Sequence, residues 1–133
     1  MWLPSMAAAP KLSLLVDKSD NTLMLRDGEE VLKTYIVSTG AHNSTPAGTF
    51  KIVNKIKDPT WFKEGQAIPS TSPGNHLGPR WMGFDRKSYG IHGTVEPQKL
   101  GQQVSAGCIR MKNEEVKELF ELIPVGTEVT IQN

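Results

Sequence analysis

A chain of 133 residues with 38% hydrophobic and 22% charged side chains is sized for one globular domain with its own core. Its net charge of +1, with no basic run interleaved with aromatics, gives no electrostatic argument for a nucleic-acid or anionic-membrane partner, and no nucleic acid is expected. A single cysteine excludes an internal disulfide, and no apolar stretch approaches the length of a membrane span.

Residues 1–10 lack both a basic start and a long apolar centre, so they read as a leader remnant or linker, and the domain is expected over 11–133. From Lys11 the pattern alternates: Leu12, Leu14 and Val16 form one face of a strand. Asp17 to Asn21 is a turn cluster, and Thr22 to Arg26 resumes an extended run. Asp27-Gly28 signals a hairpin into a third strand, Val31 to Ser38. Nothing in this meander carries chemistry. Ser38 to Gly48 is a shaped loop punctuated by Gly40, Pro46 and Gly48, with His42 solvated in it, and Phe50 to Ile56 is a strand. Asp58 to Pro79 is a long Pro- and Gly-rich loop whose Trp61 and Phe62 either cover a substrate or plug a sheet edge; His76 is read as structural. Ser88 to His92 suits a strand ending at a loop, which places His92 at a rigid strand end. Asn113 is expected to cap a helix whose apolar face is Val116, Leu119, Phe120 and Ile123, stopped by Pro124. Glu128 to Gln132 is a final strand. The order predicts a mainly β domain with one helix packed on it.

The three histidines are far apart and there is no second cysteine, so no metal site is expected; nor is there a phosphate loop or a dinucleotide fingerprint. The remaining chemical candidate is Cys108, in Ser105-Ala106-Gly107-Cys108-Ile109-Arg110-Met111, with His92 upstream. A lone cysteine also suits a core, because reactivity is decided by environment. A neighbouring imidazole would convert the thiol to a thiolate–imidazolium pair. Gly107 would let backbone approach a substrate, and the N–H groups of Gly107 and Cys108 would form an oxyanion hole. Arg110 either forks onto an anion or makes a surface salt bridge.

Ile91-His92-Gly93-Thr94 followed by Val104 to Met111 resembles the active-site motif of the L,D-transpeptidase (YkuD-like) catalytic domain family: a histidine, a spacer, then Ser/Thr-His-Gly-Cys, an apolar residue and Asn or Arg. Thr45 to Phe50, Leu77 to Gly83 and Pro124 to Thr127 match the same family in order. The resemblance implies a β-sandwich-like fold with one main helix near the C-terminus and an active-site cleft under a flap. It implies Cys108 as nucleophile, His92 as base, and Gly93 as the residue whose carbonyl orients the imidazole. Gly107 would supply an oxyanion donor, and Arg110, Ser105, Tyr89 and Trp81 would contact substrate. Peptidoglycan stem peptides would be the substrate and carbapenem-type β-lactams the inhibitors, with no cofactor. The implied protein is an exported monomer at the cell wall or in the periplasm. An L,D-carboxypeptidase and a non-catalytic wall-binding module are the alternatives. Ala106 departs from the motif, which has histidine there.

Overall fold

The computed structural model describes residues 11–133; the leader or linker expected at 1–10 lies outside them. The strands are β1 (Leu12–Asp17), β2 (Thr22–Asp27), β3 (Glu30–Gly40), β4 (Gly48–Lys57), β5 (Trp61–Lys63), β6 (Gln66–Ile68), β7 (Arg80–Phe84), β8 (Gly90–His92), β9 (Gln103–Ser105), β10 (Ile109–Met111) and β11 (Glu128–Gln132), with one helix, α1 (Asn113–Leu122). The meander forms as the turn chemistry predicts: β1, β2 and β3 are successive antiparallel neighbours, and Gly28 takes the positive φ of 59° that the second hairpin needs.

Two long strands organise the rest. The first half of β4 pairs with β11 and its second half with β7; the first part of β3 pairs with β2 and its last part with β10 and β9. Each therefore bends from one face of a sandwich to the other. The β3–β10 pairing closes the order β10-β8-β7-β4-β11-β1-β2-β3 on itself. A register irregularity between Ile52 and Asn54 marks the bend in β4, leaving Ile52 buried and Val53 exposed.

Between the faces lie Leu14, Val16, Leu23, Val37, Ile52, Met82, Ile91, Ile109, Met111, Val129 and Ile131, all essentially buried. Each such side chain contributes about 1.5–3 kcal/mol of transfer free energy. Helix α1 packs on β7 and β8 through Val116, Leu119 and Phe120, with Ile123 buried just past its end, so the apolar face is the expected one. Asn113 is not the cap. Lys112 holds that position with no side-chain cap bond, because Asn113 Oδ1 is engaged elsewhere, accepting the Thr94 N–H at 2.8 Å. The expected loop 58–79 is not structureless either: it contains a small antiparallel hairpin, β5–β6.

Candidate active site

Side chains at i and i+2 of a strand share a face, and so do registered partners on adjacent strands. Cys108 and Arg110 are two apart, Arg110 is registered with His92 on parallel β8, and His92 with Trp81 on antiparallel β7. Because Met82, Ile91, Ile109 and Met111 point into the core, the intervening residues point outward. Trp81, His92 and Arg110 thus form a row across three strands, with Cys108 one step along. Gly90 makes room for the row, since a Cβ there would stand 2.9 Å from the Trp81 indole.

His92 is 6% exposed, with Trp81 stacked at 5.9 Å between ring centroids. Its Nδ1 lies 2.6 Å from the Gly93 carbonyl oxygen. With the Nδ1 proton donated there, Nε2 keeps a free lone pair. Gly93 and Thr94 are fixed in turn by Asn113: a Cβ on Gly93 would be 2.8 Å from Pro79 Cδ and would press on the Asn113 amide. Burial lowers the imidazole pKa from 6.5 to about 4, and the Arg110 guanidinium pushes in the same direction. The Cys108 thiol is raised, mainly by burial, with the Gly90 N–H and Arg110 opposing the shift. Both shifts favour the uncharged forms, neutral thiol and neutral imidazole, over the thiolate–imidazolium pair. The thiol donates to the Ser88 carbonyl at 3.3 Å, so it must rotate away from that oxygen to meet a base.

The turn before Cys108 is pinned by two hydroxyls. Ser105 Oγ donates to the Cys108 carbonyl at 2.6 Å and accepts the Gly107 N–H at 3.1 Å. The Gly107 N–H, expected as an oxyanion donor, is thus held by Ser105, and the Ser105 hydroxyl, expected to contact substrate, lines the cleft with its proton on the Cys108 carbonyl. The other hydroxyl is Thr45, whose Oγ1 donates to the Gly107 carbonyl at 2.8 Å. The Cys108 N–H has no hydrogen-bond partner among the described residues.

Cys108 opens into a cleft of about 430 Å³ lined by Trp61, Lys63, His76, Leu77, Ser88, Tyr89, His92, Ser105, Ala106 and Arg110. Trp81 lies outside that lining; it backs the imidazole and borders an adjoining apolar cleft with Ile56, Phe62 and Cys108. Of the two roles left open for the aromatics, Trp61 takes the cleft wall, stacked on His76 at 4.9 Å, while Phe62 is 75% exposed. His76, read as structural, is therefore a cleft residue. His42 sits in an exposed turn away from it. Arg110 makes the salt bridge weighed for it, approaching Glu96 at 3.6 Å, and it also lines the cleft. The segment 58–79 is held at its base by Asn75, which donates to the Pro59 and Ile68 carbonyls and accepts the Leu77 N–H. Among the described residues no cluster of three or more His, Cys, Asp or Glu side chains is placed to hold a metal, and no helix is long and apolar enough to cross a membrane.

The comparisons agree with this geometry. The family model described as the L,D-transpeptidase catalytic domain matches residues 12–131. A putative L,D-transpeptidase of Bacillus subtilis is 44% identical over 124 residues, covering 89% of this chain and 69% of its own length. A second one from the same organism is 39% identical over 111 residues, covering 83% of this chain and 59% of the relative. An L,D-transpeptidase from Mycobacterium smegmatis superposes with a TM-score of 0.79 at 21% identity, over 94% of this chain and 60% of that one. An LD transpeptidase solved in complex with imipenem superposes with a TM-score of 0.77 at 22% identity, over 93% of this chain and 60% of that one. The sandwich closed by β3 and β10, with a cysteine just before β10, a histidine on the neighbouring parallel β8 and a family match running from β1 to β11, places this chain in the L,D-transpeptidase catalytic domain family of enzymes.

Proposed function

We propose that the chain is a cysteine-dependent acyltransferase acting on peptidoglycan tetrapeptide stems, with residues 11–133 as its catalytic domain and the preceding ten as a leader remnant or linker. Cys108 Sγ attacks the carbonyl between the third stem residue and the terminal D-Ala. His92 takes the thiol proton and delivers it to the departing amine. The S–C bond forms, the C–N bond breaks, and D-Ala leaves. An amine from a second stem then attacks the thioacyl carbonyl, its proton returns through His92 to sulfur, and a 3-3 cross-link results. Water in place of the amine gives the carboxypeptidase alternative. Stem peptides lie outside the cytoplasmic membrane, so the protein works as an exported enzyme at the cell wall or in the periplasm.

The observation that carries this reading is the shared outward face of Cys108 and a buried, neutral His92 at the wall of one cleft. Lys63, His76 and Arg110 give that cleft a basic lining suited to the carboxylates of a stem peptide. Tyr89 supplies an apolar wall against the Gly107 turn. Ala106, where the motif carries histidine, leaves the cleft wall without a second imidazole at that point and changes positioning more than proton transfer.

Incubation with a carbapenem should add one drug mass to the protein, and Cys108→Ala should acquire none. Absence of an adduct at high drug excess would leave the wall-binding alternative standing. A disaccharide-tetrapeptide substrate then separates cross-linked dimer from free tripeptide.

A further inference from the structure

Thr45 is 1% exposed and sits in the loop between β3 and β4, with no atom lining the cleft. Its hydroxyl accepts the Gly40 N–H at 2.7 Å and stands 2.8 Å from the Gly107 carbonyl oxygen. A hydroxyl has one proton. Gly40 can only donate and Gly107 O can only accept, so the Thr45 proton must point at Gly107 O. The threonine backbone is anchored as well: its carbonyl receives Lys18 Nζ at 2.6 Å, from a lysine only 3% exposed. Gly40 is what allows this approach. A Cβ there would stand 2.8 Å from the Thr45 nitrogen and 3.0 Å from the Gly107 Cα.

The Gly107 carbonyl and the Cys108 N–H belong to one planar peptide unit. A donor on the oxygen fixes the plane and so fixes where the N–H points. It also polarises the amide, which strengthens that N–H as a donor. With Ser105 holding the Gly107 N–H and the Cys108 carbonyl, three of the four backbone polar groups of Gly107 and Cys108 are engaged. The fourth, the Cys108 N–H, is without a partner among the described residues.

We propose that Thr45 is a positioning residue that aims and polarises the Cys108 N–H as the oxyanion donor, with Lys18 holding Thr45 in place. This rests on the reading that Cys108 forms a thioacyl intermediate. The effect belongs to the oxyanion and not to the thiol, which makes it separable. Acylation by a carbapenem develops negative charge on a carbonyl oxygen, whereas alkylation by iodoacetamide does not, and Cys108 is the only cysteine to report either.

The experiment measures both rates for wild type, Thr45→Val and Thr45→Ser, with the denaturation midpoint of each protein. Thr45→Val should lose at least about tenfold in acylation with alkylation within about twofold of wild type, and Thr45→Ser should regain most of the loss. Lys18→Met is the second variant, in case valine prevents folding: acylation should fall at least about threefold with alkylation unchanged. Wild-type acylation in Thr45→Val, a parallel loss of both rates, or serine no better than valine overturns the proposal. If valine does not fold, unchanged acylation in Lys18→Met overturns it. A wild type that alkylates but never acylates overturns the thioacyl reading instead.

Discussion

Replacing His92 with glutamine removes a group whose burial separates its folded and unfolded titrations widely enough to read in stability between neutral and acidic pH. The folded imidazole titrates at about 4 against 6.5 when exposed, so between those values only the unfolded chain takes up the proton. Stability linked to His92 is therefore fully present above 6.5 and is lost as pH falls towards 4. Each unit of separation is worth about 1.4 kcal/mol, so the loss between about pH 7.5 and pH 4 comes to about 3 kcal/mol. Asp17, Glu96 and Glu118, whose carboxyls are lowered by hydrogen bonds to Ser19, Lys99 and Lys33 respectively, also lose stability on acidification. They are common to both proteins and cancel in the comparison. Urea unfolding of wild type and His92→Gln at the two pH values measures the difference of differences. Wild type should lose about 3 kcal/mol more than the variant. Equal pH dependence would refute the claim that burial holds His92 neutral.

Other outcomes follow from the same geometry. The thiolate ultraviolet absorbance, taken as wild type minus Cys108→Ala, should be missing at neutral pH and rise only on the alkaline side of an ordinary thiol titration, because burial raises Cys108. His92→Ala should keep the fold and slow carbapenem acylation by at least about 100-fold in a mass-spectrometric time course. Asn113→Ala frees the Thr94 N–H and loosens the Gly93 carbonyl that orients His92; it should cost about 1–3 kcal/mol in denaturant unfolding and slow acylation without blocking the cleft. Ala106→His adds an imidazole to the exposed cleft wall, so steady-state kinetics should show KM moving more than kcat.

What could be read from the chain were the elements long enough to carry a period and the turns with their own chemistry. The β1–β3 meander, β4, α1 and β11 formed essentially where alternation and helical spacing put them. The three-residue strands β9 and β10 are too short to show any period, and β8 was legible only from its Tyr, Ile and bounding glycines, yet all three build the site. Closure by β3–β10 joins residues more than seventy positions apart, which no local pattern encodes. Asn113 illustrates a real signal misread: residue type and position suit a cap, but the Thr94 N–H outcompetes the helix for its oxygen. Thr45 was visible only as part of a motif, and Lys18 only as a turn residue, because their partners lie 62 and 27 residues away. That Cys108 and His92 belong together was legible, and both line one cleft; the direction in which each titration shifts was not, since it follows from burial.

Those shifts decide where the site must apply its stabilisation. Moving a proton from a thiol at or above its ordinary value to an imidazole at about 4 is uphill by at least about 6 kcal/mol, before the attraction between the two new charges is counted. An attraction between unit charges about 4 Å apart recovers about 4 kcal/mol in a medium of intermediate polarity, less than that cost. In the proposed mechanism charge is created as substrate reacts, with the proton crossing to His92 while the oxyanion forms. An oxyanion donor acts at that moment and contributes about 3–4 kcal/mol in comparable sites, on the scale of the remaining deficit. Arg110 assists the thiolate but opposes the imidazolium, so it cannot supply the difference alone. The Gly107–Cys108 peptide, held by Ser105 and Thr45, is the element of the cleft placed to do so.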